Sequence, residues 1–158
     1  MSSLQVDSIS SMGGGHVDGA GLVVQFKEAF TTTQVDISNN TTATIVTLDF
    51  TPKFSDSLIL CQAVHNQDAC AGAGTRDSSR AYLTIKNSAG TYLASAGGVG
   101  YLIDKSQDAR FSTTYSGTTP SWGTTSETIR IDVLPVDVTW TVSKDNAVTS
   151  LYVWEIAQ

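Results

Sequence analysis

ATIVTLDFTPKFSDSLILCQAVH, residues 43–65, is the stretch whose reading decides the fold. It holds two apolar runs, 45–50 and 58–64, separated by the polar segment 51–57. In the first run Val46, Leu48 and Phe50 alternate with Ile45, Thr47 and Asp49, the period of two of a strand with one covered face. The second run is apolar almost throughout, as a strand covered on both faces would be. Pro52 fixes its own φ and pushes Thr51 into an extended conformation, so the first strand should stop there. The expectation is a pair of strands around a Pro-containing turn.

Outward from this pair the same grammar repeats. Leu22, Val24 and Phe26 alternate with polar neighbours, and 35–37 follows the Thr31-Thr32-Thr33 run. The segments 81–86 and 91–94 flank Asn87-Ser88-Ala89-Gly90, a strand–turn–strand unit with the turn residues of a hairpin. Segment 128–133 puts Ile129, Ile131 and Val133 on one face and Arg130 and Asp132 on the other, and Pro135 ends it or marks an edge. Val138, Trp140 and Val142 alternate next, and Lys144-Asp145-Asn146 turns. In 150–156, Leu151, Val153 and Glu155 oppose Tyr152, Trp154 and Ile156. Segments 66–80 and 116–126 read as polar loops, and Gly97-Gly98 as a break. About nine short strands with polar turns predict an all-β chain, an antiparallel β-sandwich or jelly roll.

Composition agrees. Ser and Thr make up about a quarter of the 158 residues, and charged residues only 15%. The net charge is −6 and the nine Lys and Arg are scattered singly, which argues against nucleic acid as a partner. No run of about 18 apolar residues is present, so insertion of a helix into a membrane is not expected. MSSLQVDSIS lacks the charged and apolar regions of a signal peptide, which points to synthesis in a cytoplasm and to reduced Cys61 and Cys70. A disulfide between these two cysteines stays geometrically open at this point.

The first 21 residues differ from the rest. Leu4, Val6 and Ile9 form a short strand-like piece, followed by five glycines within residues 13–21. Such a stretch does not pack a core; it reads as an extended anchoring arm or linker ahead of a sandwich domain at 22–158. The glycines lack the Lys-Ser/Thr sequel of a phosphate loop.

No active site is legible. Asp104, Asp108, Asp132, Asp137 and Asp145 fall at strand ends or turns and read as turn caps rather than as a catalytic pair. His65, Asp68 and Cys70 are neighbours in sequence, which seldom makes a triad. No catalytic residue, cofactor or metal site is assigned; Asp104, Gln107 and Asp108 lack calcium-loop spacing. The candidate surface contacts are Tyr115 and Trp122, an aromatic pair in and beside a Ser/Thr/Gly loop that could meet a sugar or a protein. The competing expectation is that Trp122 folds back over one end of the sandwich.

The segments LQVDSIS, GLVVQFKEAFTTT, TIVTLDFTPKFSDSLILCQAVH and YLTIKNSAGTYL resemble small virion proteins of bacteriophages, in particular tail-fibre-like or capsid-decorating appendage proteins of marine and cyanobacterial phages. The resemblance covers roughly residues 4–93. It implies a non-enzymatic, homotrimeric appendage located in the virion. Its arm would bind other virion proteins, and its head could aid adsorption to a host surface glycan. A capsid decoration protein and a carbohydrate-binding module are the alternatives.

Overall fold

The computed structural model describes residues 21–70, 78–102, 109–136 and 139–158, with the backbone course only for 67–70, 78–79, 97–102 and 109–111. Its strands are β1 (Val23–Thr31), β2 (Val35–Ile37), β3 (Ala43–Phe50), β4 (Leu58–Cys70), β5 (Ser78–Lys86), β6 (Tyr92–Leu102), β7 (Ala109–Pro120), β8 (Glu127–Val136), β9 (Thr139–Val142) and β10 (Thr149–Ile156), with a single 3₁₀ turn at Lys144–Asn146. Among the described residues no helix is long and apolar enough to cross a membrane.

The two apolar runs of the deciding stretch become β3 and β4, but they do not pair. β3 lies in a sheet ordered β3-β8-β5-β6, whereas β4 lies in the other, between β7 on one side and β10 and β9 on the other. The expected turn is therefore a corner that carries the chain from sheet to sheet. Without β2 and β9, the sheet orders are β1-β10-β4-β7 and β3-β8-β5-β6, all antiparallel. That is the two-sheet order of a jelly roll, with its two Greek keys.

The corner is held from the last strand. Glu155 of β10 is fully buried, and its carboxylate accepts hydrogen bonds from the Lys53 N–H (2.9 Å to each oxygen), the Phe54 N–H (2.8 Å) and the Ser57 hydroxyl (2.8 Å). A buried carboxylate is tolerable only when its lone pairs are used in this way. On the same inward face, Leu151 and Val153 join Phe50, Ile59, Leu83, Ile85, Ile129, Ile131 and Trp140 in the core between the sheets.

Polar composition hid the length of several strands. β4 runs on through the supposed loop to Cys70, and β7 runs through Ser116 to Pro120, pairing with β4 from Leu58↔Pro120 to Ala69↔Ala109. β6 runs on across Gly97 and Gly98, where its pairing with β5 shifts register between Ala81↔Val99 and Leu83↔Ala96. The 87–90 hairpin is as expected: Gly90 has φ 82°, and the Thr91 N–H donates to Asn87 Oδ1 (2.8 Å). Pro135 sits near the end of β8, opposite Ala81 of β5 and beyond the last β3 partner, Val133, so no β3 ladder bond is lost to it. β9 and β10 lie end to end along β4, and Asn66 braces the excursion between them: its carbonyl accepts from the Ser143 N–H (3.0 Å), and its N–H donates to Thr149 Oγ1 (3.3 Å).

Gly117 faces inward where β6 crosses close to β7. A Cβ there would sit 2.3 Å from the Leu93 carbonyl oxygen and 2.9 Å from Ala94 Cβ. Gly117→Ala is expected to destabilise the fold by about 1–3 kcal/mol, because backbone has to move. Glu155→Ala, which orphans two backbone N–H groups and a hydroxyl, should lower stability by about 3 kcal/mol in urea unfolding, and Glu155→Gln by less.

Candidate binding face

Sheet register decides which side chains share a surface. Along β10, Leu151, Val153 and Glu155 point inward, so Tyr152, Trp154 and Ile156 point out of the sandwich. β1 pairs Phe26 with Trp154 and Glu28 with Tyr152; β4 pairs Leu60 with Trp154 and Gln62 with Tyr152; β7 pairs Thr118 with Leu60 and Ser116 with Gln62. Four strands thus contribute to one outer face. Phe26 lies 5.4 Å from Trp154 and 6.3 Å from Tyr152 between ring centroids, and Tyr152 lies 5.8 Å from Trp154. The three rings and the Gln62 side chain line a shallow depression of about 220 Å³. Phe26 is 47% exposed and Phe30, further along β1, 65%.

The outer side of the other sheet is built differently. Asp132 of β8 is only 4% exposed, with Arg130 Nε at 3.2 Å, Lys86 Nζ at 3.6 Å and the Thr44 hydroxyl at 2.7 Å. Lys86 Nζ also stands 4.7 Å from the centre of the Tyr92 ring. Asp132, expected at a strand end, lies in mid-strand because β8 runs on to Val136, and its partners tie β3, β5 and β8 together. Asp145 does lie in a turn, at φ 54°.

The sequence candidates fall elsewhere. Tyr115 is 8% exposed, turned into the core from β7, and its hydroxyl has no hydrogen-bond partner among the described residues. Trp122 is half-buried; it packs edge-on against Phe50 at 6.2 Å and donates its indole N–H to the Thr125 carbonyl (3.1 Å). It covers the core, as the competing expectation had it, and the two rings do not form a surface pair. Leu4, Val6, Ile9, His16, Asp104, Gln107, Asp108 and Asp137 lie outside the described residues. His65 is fully buried in mid-strand on the inward face of β4. Cys61 is a free thiol in the core. The nine-residue separation from Cys70 along one continuous strand spans about 30 Å, which excludes the pairing the sequence left open. Among the described residues no three His, Cys, Asp or Glu side chains gather as a metal site.

The aromatic face itself was missed. Phe26 and Trp154 stand near opposite ends of the chain and meet only because the first and last strands pair. The available signal was the outward alternation of Tyr152 and Trp154.

The fold and this face define a jelly-roll sandwich with a surface suited to binding. No family model matches the sequence, and no curated protein matches it either. Among solved structures, the infectious bursal disease virus VP2 subviral particle is similar at TM-score 0.44 and 8% identity, over 85% of this chain and 33% of that one. The structure of the infectious bursal disease virus Gx strain is similar at 0.48 and 9%, over 98% and 37%. A carbohydrate-binding module of the β-sandwich superfamily is similar at 0.24 and 13%, over 88% and 56%. The chain thus spans about a third of the length of the two viral chains. At these identities and scores the likenesses add nothing to the strand order read from the pairings.

Burial pushes the Cys61 thiol from 9.0 up to about 12, and burial, with the Asp132 charge second, pushes the Tyr115 phenol up from 10.0. Both groups keep their protons in the folded chain at pH values where the unfolded chain releases them. The stability they contribute is complete below pH 9 and is lost as pH rises from 9 towards 12, by about 1.4 kcal/mol per pH unit for the thiol alone. In alkaline unfolding series, Cys61→Ala should delay the onset of this loss to about pH 10, where Tyr115 takes over.

Proposed function

We propose that this chain is a non-enzymatic structural protein of a virus particle: a homotrimeric bacteriophage appendage in which residues 1–21 anchor the sandwich to other virion proteins. The observation that carries this reading is the end of the sandwich from which the arm leaves. The Gly21 N–H donates to the Ala157 carbonyl (2.7 Å), and the Ala157 N–H to the Leu22 carbonyl (2.9 Å). Beside this junction Phe54, Asp56, Ala157 and Gln158 line a depression of about 200 Å³. Leu22, Val23 and Phe54 are 46%, 56% and 49% exposed there. Large apolar side chains gathered at one end are what a subunit shows when a neighbour covers them. The resemblance of residues 4–93 to phage virion proteins supports the same setting.

Arm and apolar end would act together, Leu4, Val6 and Ile9 adding strand-like contacts on the neighbour while Leu22 and Phe54 fill its surface. The test is Leu22→Ser combined with Phe54→Ser. Both positions are exposed, so thermal stability should shift little. Incorporation of the double variant into particles, read by quantitative immunoblotting, should fall at least tenfold, while the parent protein scatters light as a trimer. A monomeric parent, or a variant incorporated at parental level, would refute the reading.

A further inference from the structure

We infer that the outer face of the β1-β10-β4-β7 sheet is a binding site for a neutral glycan. Its side-chain chemistry is ordered across four paired strands. Phe26 and Trp154, directly opposite one another on β1 and β10, with Tyr152 beside them, form an aromatic stripe. Next to it, β4 presents the Gln62 amide, which carries both donors and an acceptor. Beyond that, β7 presents Ser116 and Thr118 as exposed hydroxyls.

A pyranose has the matching asymmetry. Its ring faces are C–H surfaces that lie against aromatic rings, and its rim is hydroxyls that need partners able both to donate and to accept. The depression is lined by three rings with one amide, and its β7 border is hydroxylated. Charge narrows the ligand further. Among the described side chains of these four strands on this face, Glu28 is the one charged group, so neither a polyanion nor nucleic acid finds the cations it needs.

A second copy of this chain fits less well. A self-complementary interface is most apolar at its centre, whereas here the β7 half would bury a ladder of exposed hydroxyls against itself. The site is distinct from the apolar end around Leu22 and Phe54, and it supplies the adhesive part of the proposed function, on which it rests for its biological setting only.

The experiment titrates the full chain with glucose-, mannose-, galactose- and N-acetylglucosamine-based neutral oligosaccharides, read by tryptophan fluorescence and calorimetry. At least one series should bind with an affinity insensitive to added salt. Trp154→Ala and Tyr152→Ala should each weaken it on the order of tenfold or more, Trp154→Phe should retain most of it, and Gln62→Leu should weaken it with no change in the unfolding midpoint. The Leu22→Ser, Phe54→Ser variant should bind the sugar normally, which separates failure of this site from failure of the particle assignment. The inference is overturned if no series binds, if Trp154→Ala binds as tightly as the parent, or if Trp154→Ala instead dissolves the oligomer, which would mark the face as an interface between copies.

Discussion

One buried carboxylate ties the last strand of this architecture to the corner between its sheets. Glu155 accepts the backbone N–H groups of Lys53 and Phe54 and the hydroxyl of Ser57. These residues form the corner at which the chain leaves one sheet for the other. The last strand of the molecule thereby fastens a turn about a hundred residues earlier in the sequence. Because β10 alternates from Leu151 to Ile156, fixing Glu155 inward also fixes Tyr152 and Trp154 outward. A slip of one residue would bury the aromatic stripe and expose the carboxylate. Core and aromatic surface are thus two faces of one register.

The alternation of β10 and β8, the Asn87–Gly90 turn and the all-β class were legible because they are local patterns of side chains. What stayed hidden was whatever depends on which strands pair. The two runs of residues 43–65 looked like a hairpin, yet the Pro52 corner sends them to different sheets. The end of β7, residues 116–120, looked like a loop because it carries Ser, Gly, Thr and Pro where a strand is expected to carry Val or Ile. Backbone pairing with β4 along almost its whole length overrides that propensity. The polar half of β4 was lost for the same reason.

The surface candidates show the same limit. Tyr115 has polar neighbours, but on a strand such neighbours mark the opposite face, and Tyr115 itself points into the core. Trp122 does lie outside the strands, and it still folds onto Phe50. The residues that do cluster on the outer face, exposed Phe26 with half-buried Tyr152 and Trp154, belong to strands that read as ordinary covered elements. Only the β1–β10 pairing brings them together.

In the proposed account the sandwich has two working regions: the apolar end around Leu22 and Phe54, and the aromatic face on the β1-β10-β4-β7 sheet. The first faces the particle in this account and the second faces away. A density map of the assembled particle tests that orientation most directly. The account predicts Leu22 and Phe54 covered by a neighbouring virion protein, with Phe26, Tyr152 and Trp154 open to solvent. A map in which the aromatic face is buried and the Leu22–Phe54 end is free would contradict it.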